Sequence, residues 1–186
     1  MDLKPTLSNH KVILRPLETT DEPQLWPIAQ EENLWTYGLK DLSNPVQLTR
    51  YIDSAIRERE AGVCAVWTII DAASGRVAGC TRLAEISWKD ERGQIGWTWI
   101  GKDFQGTGIN KAMKFEILRY GFENLGLNRV ELKADERNIQ SRKAIKSIGA
   151  TEEGTLRQHM KIHDGYHRNT VFYSILKSEW PGVKEK

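Results

Sequence analysis

The run Gly101–Met113, GKDFQGTGINKAM, carries glycines at a spacing typical of phosphate-binding loops. It fails as a P-loop, because Thr107 stands where the phosphate-reaching lysine belongs and Gly108 where the Mg²⁺-binding hydroxyl belongs. It fails as a dinucleotide fingerprint as well, because Lys111 takes the place of the third glycine. Gly106 and Gly108 before a helix would still leave backbone N–H groups free for an anion such as a pyrophosphate. The alternative is that the glycines only make a tight turn.

A second set of residues that could do chemistry is His159, His163 and His167, spaced by four. Such spacing serves zinc on a helix. Here Asp164-Gly165 marks a turn between two strand-like runs, so the three rings need not share one face. No carboxylate or cysteine pattern accompanies them. We therefore predict a hairpin surface and no metal site.

Composition sets modest bounds on the protein. With 186 residues, 28% charged and 39% apolar, the sequence predicts one ordered domain spanning 1–186. The net charge of +2 comes with dispersed basic residues, so no nucleic-acid binding is predicted. Cys64 and Cys80 lie in apolar runs and are interpreted as small buried side chains without a disulfide. No signal peptide and no run of about 18 apolar residues occurs, which predicts a soluble, cytoplasmic protein without membrane contact.

The elements that must position the loop follow in order along the chain. Strand patterns are KVILRPL, VCAVWTII, RVAGCTRLAEISW, QIGWTWI and NRVELKA, and a closing hairpin spans GTLRQHMKIHDGYHRNTVFYSIL. Helices are predicted after Thr20 or Asp21, from about Pro45 to Ala61, after the glycine loop, and from Asn138 to Gly149. Strands outnumber helices and several neighbours are antiparallel, so the fold class is α+β. Trp97 and Trp99 share a face of one strand, as core packing or as the wall of a ligand site.

The segment Gln105–Ile109, QGTGI, resembles the [R/Q]-x-x-G-x-[G/A] coenzyme A loop of the GNAT N-acetyltransferase superfamily. The resemblance continues downstream, where Asn138 to Ser141 matches the Asn-x-x-Ser that opens a helix beside the pantetheine arm. The stretch DGYHRNTVFYSILKSEWPGV is similar to the closing strands of the ribosomal-protein branch, the Rim type. Together the matching segments cover roughly residues 10 to 182.

This resemblance implies a GNAT-like mixed, mostly antiparallel sheet of about seven strands flanked by about four helices. Strands ending at Trp99 and Ala134 would splay apart to admit acetyl-CoA, whose pyrophosphate the amides of Gln105 to Asn110 would hold. Asn110 departs from the usual glycine or alanine, and could cap the helix or add a contact. The implied cofactor-binding residues are Trp97, Trp99, Ile100, Gln105, Gly106, Thr107, Gly108, Ile109, Asn110, Asn138, Ser141 and Arg142.

Direct transfer of an acetyl group in this family implies three catalytic tasks. An N–H between Gly96 and Trp99 would polarise the thioester carbonyl. Ser141 would assist the departing thiolate, unless its hydroxyl only bonds the helix backbone. Many relatives carry a carboxylate where this chain has Gln94, so the base could be Asp135, Glu85 or a water relay.

Three functional classes stay open from the sequence. The chain could acetylate a protein N-terminus, such as that of a ribosomal protein, or a small amine such as a polyamine, amino sugar or amino acid. It could also be a non-catalytic acyl-CoA-binding module, as Gln94 suggests. Trp35 and Tyr37 would border the acceptor cleft or form a packing cluster in their loop. The predicted partners are acetyl-CoA and an amine acceptor, and a homodimer is kept open.

Overall fold

Eight strands form one mixed sheet in residues 2–185, which are the residues that this computed structural model describes. Met1 and Lys186, the ends of the predicted domain 1–186, lie outside them. The strand order is β1-β2-β3-β4-β5-β6-β8-β7, with only β5 and β6 parallel. The strands are β1 (Leu7–Ser8), β2 (Val12–Pro16), β3 (Ala65–Asp71), β4 (Val77–Ser87), β5 (Arg92–Ile100), β6 (Arg129–Asp135), β7 (Thr151–Lys161) and β8 (His167–Leu176). The predicted α+β class and mostly antiparallel sheet are confirmed, and the eighth strand is the two-residue β1.

Five α-helices accompany the sheet within the described residues. They are α1 (Glu22–Ala29), α2 (Pro45–Glu60), α3 (Ile109–Arg119), α4 (Ile139–Ser147) and α5 (Trp180–Lys184). Local chemistry sets their starts: the Asn44 side chain accepts from Val46 N–H at 2.9 Å, and Pro45 fills the first position of α2. The four predicted helices are confirmed. The fifth is the one-turn α5, which the sequence pattern did not indicate.

Apolar side chains form one cluster on each face of the sheet. One cluster joins α1 and α2 to the sheet and includes Cys64, Cys80 and Trp99. The other includes residues of α3, α4 and α5. Both cysteines are free and buried, as predicted, and burial raises the pKa of Cys64 to about 12 and that of Cys80 to about 11. The thiols are therefore protonated at neutral pH.

The parallel pair β5 and β6 stays together over only four residues. Arg92 to Ile95 pair with Arg129 to Leu132, and no pairing follows, although β5 continues to Ile100 and β6 to Asp135. Trp97 has a φ of 50° at an irregularity in the pairing with β4. The two strands thus diverge in the middle of the sheet, as the resemblance implied.

The loop after β5 leads directly into α3, and the closing hairpin completes the sheet beside β6. β7 and β8 turn at the predicted Asp164-Gly165, where Gly165 has a φ of 94°. Among residues 2–185, no helix is both long and apolar enough to span a bilayer.

Candidate active site

The glycine loop presents backbone N–H groups at the start of α3. Gly106 and Gly108 have φ values of 77° and 90°, in the left-handed region that glycine tolerates. The first backbone hydrogen bond at this helix start runs from Ala112 N–H to the Gly108 carbonyl, at 3.0 Å. The preceding amides point out of the helix end, where the helix dipole adds partial positive charge. This geometry suits the phosphates of an anionic ligand.

Two amides of the predicted loop already have acceptors, since Ile109 N–H donates to Thr107 Oγ1 at 3.5 Å and the Gln105 N–H is bonded as well. Gln105 donates from its side chain to the Ile100 carbonyl at 2.9 Å and from its backbone N–H to Lys102 at 3.2 Å. The available amides therefore begin at Gly106, and the prediction that the Gln105 amide is free was wrong. Of the two roles considered for Asn110, the helix cap is not what the structure shows, because Gly108 holds that position. The Asn110 Oδ1 is buried with no hydrogen-bond partner within the described residues, which leaves the predicted contact open.

A cavity of about 360 Å³ lies where β5 and β6 diverge. Residues of both strands line it, together with the start of α4, one face of α2 and the loop before α2. Trp97 and Trp99 line it too, and Trp99 packs against Trp35 with ring centroids 5.5 Å apart. The two tryptophans and Trp35 thus serve packing and cavity wall at once, and Tyr37 also lines the cavity.

Ser141 lies in the cavity wall on the first turn of α4. Its backbone N–H donates to Asn138 Oδ1 at 2.9 Å, which caps the helix. Its hydroxyl has no hydrogen-bond partner among residues 2–185. The alternative that this hydroxyl bonds the helix backbone is therefore not what the structure shows, and the hydroxyl is free to contact a ligand.

The two carboxylates considered as bases have different surroundings in the cavity. Asp135 is buried and accepts three hydrogen bonds from Arg137, at 2.8 to 3.1 Å. Burial opposes ionisation, but these bonds lower the pKa of Asp135 below its ordinary value. Glu85 is exposed at the rim, with Lys133 Nζ at 3.3 Å. Glu85 is thus the more accessible proton acceptor.

Gln94 faces the same cavity from β5. The residue is 8% exposed, and its Oε1 has no hydrogen-bond partner among residues 2–185. A buried amide oxygen without a donor is costly. It is therefore a site where a ligand N–H or a water would bind.

Besides the six loop residues Gln105–Asn110, two predicted cofactor residues lie outside the cavity wall. Ile100 is buried in the core, and its carbonyl accepts the Gln105 side chain. Arg142 donates to Tyr173 Oη at 3.1 Å and lies 3.6 Å from Glu152. The structure brings neither side chain together with the other cavity residues.

The three histidines do not converge. His163 Nε2 lies 2.9 Å from the Trp35 carbonyl, and the His159 ring packs on Phe172 with centroids 5.3 Å apart. Within residues 2–185, no group of three or more His, Cys, Asp or Glu side chains is arranged to hold a metal ion. The hairpin placement of His163 and His167 agrees with the sequence-based interpretation.

Sequence reasoning missed several charged residues of the cavity. Arg82 is buried, stacks on Tyr51 at 4.1 Å and pairs with Glu58 at 3.2 Å. Lys114 lies on α3, one turn beyond Asn110, and is buried as well. No local pattern in the sequence distinguishes Lys114 from an exposed lysine of a helix.

The cavity wall carries more positive than negative charge. Its three acidic side chains are each paired with a cation. Five cationic and three acidic side chains line it: Lys40, Arg82, Lys114, Lys133 and Arg168 against Glu58, Glu85 and Asp135. The wall therefore favours ligands with negative or neutral groups over polycations.

A family profile described as Acetyltransferase (GNAT) domain matches residues 11–151 of the chain. A crystal structure of a GCN5-related N-acetyltransferase from Brucella melitensis is similar with a TM-score of 0.88 and 27% identity, covering 98% of this chain and 83% of that one. The predicted fold is thereby confirmed.

Two curated relatives are similar in sequence. YdaF of Bacillus subtilis, named as a candidate ribosomal N-acetyltransferase, is 38% identical over 110 residues, which are 59% of each chain. The match thus spans less than two thirds of the length of YdaF. The spermidine N(1)-acetyltransferase of Escherichia coli is 25% identical over 174 residues, 93% of this chain and 90% of that protein.

Proposed function

Because the chain belongs to the GNAT family of acetyltransferases and is an acetyl-CoA-dependent N-acetyltransferase, we propose that its acceptor is the N-terminal amine of a protein. The observation that carries this proposal is the charge of the cavity wall, with five cationic and three acidic side chains. A polyamine carries several positive charges and would meet a repulsive wall, whereas a peptide N-terminus brings one amine and a neutral backbone. The name of YdaF points to the same class of acceptor.

The second candidate acceptor is a polyamine. The similarity to spermidine N(1)-acetyltransferase over nearly the whole chain favours it. The cation excess weighs against it, because each additional ammonium group on the acceptor would meet the same unfavourable potential.

Acetyl-CoA would bind with its pyrophosphate on the amides that begin at Gly106 and with its pantetheine arm between the diverging strands. The N–H groups of β5 beyond Ile95 have no partner on β6, so one of them would donate to the thioester oxygen. Trp97, Trp99 and Asn138 would line the arm, since all three line the cavity.

Transfer would proceed in one step without an acyl-enzyme. The acceptor nitrogen attacks the thioester carbon, the carbon–sulfur bond breaks, and the electron pair leaves on the coenzyme A sulfur. The free Ser141 hydroxyl would hydrogen-bond or protonate this thiolate. Gln94 Oε1 would accept a hydrogen bond from the attacking amine and orient it. Glu85, the exposed carboxylate at the rim, would receive the amine proton.

The acceptor class is tested by turnover on a panel. Purified protein, acetyl-CoA and either N-terminal peptides or spermidine are compared by the release of free thiol. We expect kcat/KM for the best peptide to exceed that for spermidine by at least about tenfold, given the like-charge cost. Equal or better turnover of spermidine would refute the proposed acceptor.

A cytoplasmic location, a homodimer and the lack of nucleic-acid binding stay predictions.

The proton acceptor is tested with Glu85→Gln. Loss of a general base is expected to lower kcat/KM at neutral pH by about 10²-fold. The defect should shrink at higher pH, because an N-terminal amine with an ordinary pKa of about 7.7–8.0 is then already neutral. If Asp135→Asn shows this pH-dependent defect and Glu85→Gln does not, the role belongs to Asp135.

A further inference from the structure

Lys114 is a buried cation in the wall of the cavity that the proposed mechanism does not use. It is 6% exposed. In the part of the chain that the structure describes, its ammonium group has no hydrogen-bond partner and no carboxylate within 4.0 Å. Burial lowers the pKa of Lys114 to about 8, and no nearby charge contributes to that shift.

The rest of α3 shows that this arrangement is unusual for the helix. Glu116 is also buried, but it is satisfied by a hydrogen bond from Asn9 at 3.0 Å and by an ion pair with Arg119. The other buried side chains of the helix include the apolar Ile109, Met113 and Ile117. The stem of the Lys114 side chain is buried, whereas its Nζ atom keeps contact with solvent. The partly desolvated ammonium group has no charged partner, so an anionic group of a ligand in the cavity would stabilise it.

Lys114 lines the cavity together with apolar side chains that are closed to solvent. Ile95, Leu132 and Ile145, which line the cavity with it, are nearly inaccessible to solvent. The ion pair of Glu85 lies at the exposed rim instead. In the proposed function the amine proton passes to Glu85 at the rim, which leaves the buried part of the wall to the acyl group of the donor.

We propose that Lys114 forms an acyl pocket for coenzyme A thioesters whose acyl chain ends in a carboxylate, such as succinyl-CoA, in addition to acetyl-CoA. The inference rests on the proposed function, because that function places the coenzyme A arm between β5 and β6. The carboxylate would pair with the Lys114 ammonium group and offset the cost of its partial desolvation. Acetyl-CoA, with its short acyl group, leaves this partner unfilled.

Calorimetric titration without any acceptor tests the inference. The ligands are acetyl-CoA, succinyl-CoA and butyryl-CoA, since the last two share a four-carbon chain and differ in the terminal carboxylate. We expect succinyl-CoA to bind roughly ten- to a hundredfold more tightly than butyryl-CoA, because a hydrogen bond between charged groups in a site shielded from water contributes about that much to affinity. In Lys114→Met this ratio should fall to about one, and Lys114→Arg should retain a preference. Lys89→Met, at an exposed turn, should keep the parent ratio.

The outcomes separate the two proposals. If the parent binds acetyl-CoA but shows no preference for succinyl-CoA, the inference is overturned and the proposed function stands. A preference that persists in folded Lys114→Met, checked by its melting curve, would also overturn it. If no acyl-CoA binds the parent protein, the proposed coenzyme A site is refuted, and the acyl pocket is refuted with it. The titrations contain no amine acceptor, so a preference for succinyl-CoA can only reflect binding of the coenzyme A thioester itself.

Discussion

Ser141→Ala tests the catalytic role of the hydroxyl with little disturbance of the fold. The substitution removes one oxygen that has no hydrogen-bond partner in residues 2–185. The cap of α4 survives, because Asn138 Oδ1 accepts from the Ser141 backbone N–H, which alanine retains. Alanine also has a higher helix propensity than serine. We therefore expect a change in the free energy of unfolding within about 0.5 kcal/mol.

The expected effect on rate is much larger. A hydrogen bond to a developing anion in a site that excludes water contributes about 1.4–4 kcal/mol, which corresponds to a roughly ten- to thousandfold loss in kcat. The affinity for coenzyme A should stay within about tenfold of the parent, because the phosphates are held by the loop before α3 and not by Ser141.

The assay compares Ser141→Ala with Ser147→Ala on the same helix. Ser147 is exposed, and its hydroxyl donates to the Ala144 carbonyl at 2.8 Å, so its loss should leave turnover unchanged. Melting temperature, coenzyme A affinity and kcat are measured on one preparation of each variant. A kcat for Ser141→Ala within twofold of the parent would refute the role in thiolate departure. A large drop in melting temperature would refute the placement of the hydroxyl.

Three further predictions concern the loop, the buried Asp135 of the cavity and the cysteines. Gly108→Val should weaken coenzyme A binding by roughly tenfold or more, because a β-branched residue is strained at its φ of 90°; Gly62→Val, with a φ of 78° after α2, carries similar strain and should leave binding unchanged. Burial alone would raise the pKa of Asp135, but hydrogen bonds from Arg137 lower it below its ordinary value. The ionised Asp135 therefore contributes to stability above a pH of about 4, and this contribution is lost below that pH. The unfolding free energies of Asp135→Asn and the parent should therefore converge in acid; a constant difference would contradict this. Cys64→Ser and Cys80→Ser should keep turnover in the folded fraction, and a trapped acetyl-cysteine would contradict direct transfer.

Local signals made most of the fold predictable. Asn44 and Pro45 mark the start of α2, and Asp164-Gly165 marks the last hairpin, because helix caps and tight turns depend on the types of adjacent residues. The two-residue β1 and the one-turn α5 escaped prediction. Both are too short for a hydrophobic period to appear, and they exist because neighbouring elements hold them.

The site was less predictable than the fold. The glycine loop and the Asn138–Ser141 pair could be found, because the residues that make up each motif are close together in the sequence. The hydrogen bonding of Gln105 could not be predicted, since its bond to the Ile100 carbonyl depends on how the loop folds back on β5. Lys114 looked like an ordinary charged residue of a helix, because its burial depends on residues that are distant in sequence.

The neutral Gln94 and the cationic cavity wall are linked through the acceptor amine. A buried carboxylate in place of Gln94 would stabilise an ammonium group beside it, and this chain has none there. In the proposed function, the excess of cationic side chains would instead disfavour the ammonium form of a bound amine and lower its pKa. An N-terminal amine, with an ordinary pKa of about 7.7–8.0, would then give up its proton to a carboxylate such as Glu85, whereas a lysine-like amine with a pKa of about 10.4 would remain largely protonated. Under that proposal, a neutral residue at position 94 would favour acceptor amines of low pKa.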